Sequence, residues 1–393
     1  MKLKRNTKLL LKDSILCTLF AFFIIFVLSF LVINISFFDP LKKVVKDFSF
    51  LDVYYAENFN PTHTVNQDIV LINIEHRDRF ELAQLLSEVL KADPKVVGVD
   101  IIFKDRKEGF IDTLVAKTLH NDKVITSYII GKDSLINNDS LFLNKKNSGF
   151  VNLNFENQES VVREFAGITQ FQNQKHLSFA SKIAHKVLGK KAWEAYSYDD
   201  KFHGTTPIKY TGDYTSFLNF GYEEFMESEN KAILRNKIVL LGYLGSPTGN
   251  IYDVEDKLFT PLNKITAGKS VPDMFGVVIH ANIINMLLKN DLMYRVPNFW
   301  IGVFSFICTF FTIMYFLWLG KRKKITESTV KKIVLFLFTV ILTGLALWLF
   351  KMGIILKVVP IIGITLIGSS YISYYKHLID YIKTKMPWES YFR

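Results

Sequence analysis

The chain has 393 residues, 49% of them hydrophobic, and carries 48 lysines and arginines against 37 aspartates and glutamates, a formal net charge of +11. The surplus lies at the ends: outside 39–298 there are 17 basic and 4 acidic residues, leaving 31 against 33 inside, so nothing marks the long middle block as a nucleic-acid partner. Both cysteines, Cys17 and Cys308, fall in apolar stretches, which removes disulfides, thiolate zinc sites and thiol nucleophiles from that block.

In chain order, a basic tail (1–13, with Lys2, Lys4, Arg5, Lys8 and Lys12) precedes an apolar span at 14–38. That span is too long for a signal h-region of roughly 7–15 residues and has no small-residue cleavage pattern, so it is expected to stay as a signal anchor. Asp39 followed by Pro40 predicts the cap and first turn of a stalk helix. Strands are then predicted at 69–74, 96–103 and 124–130, with helices between them at 82–90 and 110–119, the first drawn by Leu82, Leu85, Leu86, Val89 and Leu90 on one face. Strand, helix and strand with short connections imply right-handed parallel crossovers. A polar stretch, 132–206, contains a strand at 149–153 and a helix at 178–188 and reads as an inserted lobe. Parallel-sheet character returns at 207–210 and 237–241, and a last helix covers 278–288.

Three further apolar spans, 299–319, 333–350 and 354–372, are each about the 17–25 residues that cross a bilayer. Lysines and arginines crowd 321–332 and the tail 373–393 as well as the start of the chain. Cytoplasmic loops carry that excess, so four crossings are expected in a bacterial inner membrane, with both termini cytoplasmic, 39–298 extracytoplasmic and anionic lipid favoured at the basic ends. The fold class expected is an α/β extracytoplasmic domain with a largely parallel mixed sheet, plus four transmembrane helices, one N-terminal and three C-terminal.

Catalytic and cofactor motifs fail on inspection. Gly268-Lys269-Ser270 ends like a phosphate loop, but Asn263 stands where the first glycine belongs. Gly245-Ser246-Pro247 has Leu244 where a nucleophile elbow needs glycine. The eight histidines show no zinc spacing. No cofactor, metal or catalytic residue is therefore expected. The candidate ligand site is positional, because open parallel sheets bind ligands outside the carboxyl ends of their strands. Those ends bring Glu75, His76 and Asp100 toward the loop 242–256, where Gly242, Gly245 and Gly249 allow close backbone approach and Asp253, Glu255 and Asp256 offer carboxylates. Asp100 has two readings, a structural one, bonded to loop amides or to an arginine such as Arg79, and a ligand contact. His280 is expected to be a buried hydrogen-bonding residue.

Asp68-Ile69-Val70-Leu71-Ile72-Asn73-Ile74, Pro94-Lys95-Val96-Val97-Gly98-Val99-Asp100, Gly149-Phe150-Val151-Asn152 with Arg163, Ser178-Phe179-Ala180, Lys237-Ile238-Val239-Leu240-Leu241-Gly242 and Gly276-Val277-Val278-Ile279-His280-Ala281-Asn282 follow one another in the order and spacing of a known family. With them the chain resembles the type-two CHASE domain, the extracytoplasmic sensory domain joined to bacterial histidine kinases and nucleotide cyclases. Three closing membrane helices are similar to that family's layout, whereas the Trp-Pro-rich stretch after the first strand is absent. Only about 18 residues follow the last span, too few for a kinase or cyclase domain, so output is expected to run through a protein partner, whether kinase, cyclase or envelope complex, in response to an unidentified small ligand. Two other readings stay open: a docking subunit of an envelope complex that binds no small ligand, and an extracytoplasmic metal-dependent enzyme using Asp100, Asp253 and Asp256.

Overall fold

The computed structural model describes residues 5–34, 65–107, 109–153, 161–197, 204–246, 254–263, 271–321 and 327–392. The expected stalk helix at Asp39-Pro40, and Gly268-Lys269-Ser270, lie outside the described residues. The chain divides into two compact units, 1–46 with 295–393, and 47–294.

The elements run α1 (Arg5–Asn34), β1 (Asn66–Asn73), α2 (Arg79–Lys91), β2 (Val96–Val99), α3 (Gly109–Leu119), β3 (Val124–Ile130), β4 (Leu135–Ile136) and β5 (Ser148–Phe150). They continue with β6 (Glu164–Ala166), β7 (Ile168–Phe171), β8 (Gln174–Leu177), α4 (Phe179–Leu188), α5 (Lys190–Ser197), β9 (Thr205–Pro207), β10 (Phe217–Phe220), α6 (Tyr222–Glu227), β11 (Ile238–Gly242), β12 (Lys257–Leu258), β13 (Met274–Phe275) and α7 (Gly276–Leu288). The central sheet has the order β10-β1-β11-β2-β3, with β4 and β5 both on β3. Every pairing in it is parallel except β3 with β4.

Alternation within the strands sorts their side chains onto two faces. Ile69, Leu71, Ile125, Ile238 and Leu240 meet α4 and α7, while Val70, Ile72, Val97, Val124 and Val239 meet α2, α3 and α6. The unit is thus a three-layer α/β sandwich, each face burying its own core. Helix α2 starts on a capping box in which Asp78 accepts from the Glu81 amide and Glu81 accepts from the Asp78 amide, both at 2.9 Å.

Two expectations for the sheet are corrected. The segment read as 96–103 is a strand only over Val96–Val99, and the chain leaves it at Asp100, whose amide still donates to Leu241 O at 2.9 Å. A carboxylate is costly in the middle of an apolar strand and much less so at its mouth. The stretch 207–210 does not enter the central sheet. Pro207, with no N–H to give a ladder, pairs with Glu164 in a separate antiparallel ribbon, and Phe217–Phe220 forms the edge strand instead. The polar middle also contains the β7–β8 hairpin, whose Gln172 and Asn173 both take positive φ, 47° and 60°, as a two-residue turn of matching twist requires.

In the other unit, α1, α8 (Asn298–Gly320) and α9 (Glu327–Lys351) each contain a stretch long and apolar enough to cross a membrane. The expected fourth span is not one straight helix. Here α10 (Val358–Ser370) and α11 (Ile372–Lys385) meet at a 41° bend. Thirteen residues of α10 reach only about 20 Å against a hydrocarbon core of about 30 Å, and α11 is polar on one side. Among the described residues three helices are long and apolar enough to cross a membrane, or four where the bent pair counts as one span. Thr309 and Thr365 hydrogen-bond at 3.3 Å where α8 and α10 cross. The stretch 386–392 folds back on the start of α1, where buried Asp13 accepts from Ser390 Oγ (2.6 Å) and the Tyr391 amide (2.5 Å) and Lys12 lies 3.8 Å from the Trp388 ring centre.

Candidate functional site

At the carboxyl edge of the sheet, β1 and β2 lead to helices on one face while β11 leads to α7 on the other. Chains departing to opposite sides leave a crevice between them, the topological switch point of an open parallel sheet. Gly242, the last residue of β11, is needed for it: a Cβ there would lie 2.7 Å from Val277 Cβ, so glycine alone lets α7 sit this close. Gly245 takes φ +91° and turns the loop after the strand.

Asn73 fixes that loop, a role the sequence reading missed. At the end of β1, its Nδ2 donates to Gly245 O (2.8 Å) and its Oδ1 accepts from the amides of Leu244 (2.9 Å) and Glu75 (3.0 Å). An asparagine closing a β-branched run is the signal that was there to use, since one side chain with both a donor and an acceptor can tie two strand ends together.

The sequence-predicted residues separate into different roles. Glu75, at φ 50°, accepts from Arg77 through Nε (3.1 Å) and Nη2 (2.8 Å), and Arg77 also reaches Glu81 and Glu223 and lies 4.1 Å from the Tyr222 ring centre. It belongs to an ion network that builds a wall. His76 is exposed, with Nε2 at 3.3 Å from Glu255 and its ring 5.0 Å from Tyr243. Asp253 and Gly249 lie outside the described residues.

Asp100 and Asp256 come together. Asp100, half-buried, has its pKa raised to about 7, first by desolvation and then by the Asp256 carboxylate. Asp256 is exposed as a residue, yet its carboxyl packs against the start of α7, with Oδ2 at 3.6 Å from where a Gly276 Cβ would stand. Its pKa is raised to about 6 by desolvation and by Glu255. Its backbone carbonyl accepts from the Gly276 amide at 3.0 Å. Neither carboxylate pairs with a basic group among the described residues.

The expected Asp100–Arg79 contact is absent. Arg79 instead holds the buried Asp112 at 2.6 Å, donates to Asp105 O and lies over the rings of Phe103 and Phe142. His280 is buried as expected, but among the described residues its Nδ1 has no hydrogen-bond partner. It packs edge-on against Phe179 at 5.4 Å, and burial lowers its pKa to about 4. Among the described residues no group of three or more His, Cys, Asp or Glu side chains is arranged to hold a metal ion. Among the described residues the crevice thus presents a pair of carboxylates without counter-charge, able to take up a proton or a positively charged group.

A mostly parallel α/β sandwich in one unit, with apolar membrane-length helices at both ends of the chain, defines a membrane-anchored α/β domain protein. The model of the CHASE2 domain family matches residues 18–320, and the chain belongs to that family, whose members are extracytoplasmic sensory domains and not catalytic by themselves. No curated protein and no solved structure matches the chain.

Proposed function

We propose that this protein is a bacterial inner-membrane sensor that receives a small ligand in the crevice at the carboxyl edge of its extracytoplasmic sheet and acts through partner proteins in signal transduction. The observation that supports this reading is the closeness of Asp100, at the mouth of β2, to Asp256, just before β12, with no basic partner for either among the described residues. Gly242 and Gly245 shape the loop beside them. Such a site selects a ligand that offers positive charge or hydrogen-bond donors. The test uses full-length protein in lipid nanodiscs with Mg2+, Ca2+ and spermidine as probes. At least one raises the melting temperature saturably, and Asp256→Asn weakens that effect at least fivefold. No saturable shift with any of the three, or equal shifts in the variant, contradicts the reading.

The domain borders proposed are 39–298 for the sensory domain, 14–38, 299–319, 333–350 and 354–372 for four crossings, and 1–13 and 373–393 for cytoplasmic tails. The basic residues before 14, between 319 and 333 and after 372 support this orientation. A reporter active only when exported, fused after Arg393, is expected to be inactive; full activity there would place the C-terminus outside and leave an odd number of crossings.

A further inference from the structure

A second cleft lies away from the crevice, where β3, β5, β8 and α4 come together, with a volume of about 450 Å3. Its wall includes Lys145, Lys175, Lys182, Ser148, His176 and Tyr128. Among the described residues none of its lining is acidic, although the surrounding block as a whole is nearly neutral. We propose that this cleft is an anion site for a small molecule bearing two or three negative charges on carboxylate or phosphate groups.

Three observations carry the proposal beyond the reading of the crevice. Lys182 is half-buried on α4, and desolvation followed by the nearby Lys186 lowers its pKa. Among the described residues no carboxylate pairs with this partly desolvated ammonium, and an anionic ligand supplies the counter-charge. Secondly, Tyr128 and His176 form a fixed pair, the hydroxyl 2.8 Å from Nδ1, with Phe171 edge-on to the imidazole at 6.2 Å. Burial pushes the Tyr128 hydroxyl up to about 12, so it stays protonated and holds the ring in place. In the tautomer in which Tyr128 donates to Nδ1, Nε2 carries the ring proton and can donate to an anion. Thirdly, three lysines within one cleft of this size match a di- or trianion rather than a single charge, and leucines complete the wall beside the polar groups.

The test uses the full chain in lipid nanodiscs with citrate and inorganic pyrophosphate as probes, and acetate and sodium chloride at matched ionic strength as controls, read by melting temperature and by titration calorimetry. Citrate or pyrophosphate is expected to bind saturably, and the tighter of the two identifies carboxylate or phosphate chemistry. Lys182→Gln and Lys175→Gln each weaken that binding at least fivefold, whereas Asp256→Asn leaves it unchanged, which separates this cleft from the crevice. Free of ligand, Lys182→Gln melts no lower than wild type. Binding of neither probe above the salt controls, wild-type affinity in both lysine variants, or a lower melting temperature of ligand-free Lys182→Gln overturns the proposal.

Discussion

Asp112→Ala is expected to destabilise the protein by about 3–5 kcal/mol, the usual cost of removing one partner from a buried ion pair. Asp112 is 1% exposed and sits 2.6 Å from Arg79, whose side chain is itself only 13% exposed. The second carboxylate oxygen accepts from the Lys107 amide at 2.7 Å, so alanine strands both a guanidinium and a backbone N–H. Arg79 cannot simply swing into water, because it lies over Phe103 and Phe142 and donates to Asp105 O. Thermal unfolding of the full-length protein in detergent should show a drop in melting temperature of roughly 10 °C. A drop of less than about 2 °C would mean that solvent reaches the pair.

Asp100→Asn is expected to do the opposite and stabilise the protein at pH 8 by about 2 kcal/mol, a discounted share of the roughly 1.4 kcal/mol carried by each unit of raised pKa. The folded carboxyl titrates at about 7 while an unfolded aspartate titrates near ~3.9. Between those values the native state holds the extra proton, so this residue's stabilising contribution is complete below about pH 4 and is lost as pH rises through about 7. The gain from asparagine should therefore vanish at pH 4 and grow across that window. Asp256 and Asp273, each raised to about 6, slope the same way. His280, lowered to about 4, slopes against them, losing stability as pH falls below about 6.5. The difference between variant and wild type cancels Asp273 and His280 and leaves Asp100 together with its coupling to Asp256. A destabilised Asp100→Asn at pH 8 would show that the carboxylate already has a partner.

These two residues also mark where sequence reading stopped. Val96-Val97-Gly98-Val99 announced a buried strand, and Asp100 after it announced something to be satisfied, but Arg79, one of the partners offered under its structural reading, pairs with Asp112 instead. Linear order offered no way to choose between two carboxylates that follow Arg79 by 21 and 33 positions. The parallel core was legible because Ile69 to Ile72 and Ile238 to Leu241 are continuous apolar runs that only a sheet covered on both faces can bury. Phe217-Leu218-Asn219-Phe220 was not, being short and without a β-branched residue, and it lost the edge position to Pro207 on paper. Membrane spans were legible as apolar length, but hydropathy carries no information about the bend at Tyr371. The place of Gly242 at the end of β11 was readable from the apolar run before it, while Asn73 was overlooked because its work is done through hydrogen bonds to a segment distant in sequence.

The central claim is that the crevice holds two carboxylates without counter-charge, and the titration of Asp100 tests it most directly. Carbon-13 spectra of full-length protein labelled at aspartate carboxyls, assigned by Asp100→Asn and followed from pH 3 to 9, should give Asp100 a pKa of about 7, moving down in Asp256→Asn as the neighbouring charge is removed. An ordinary aspartate value near ~4, unmoved by Asp256→Asn, would contradict the account.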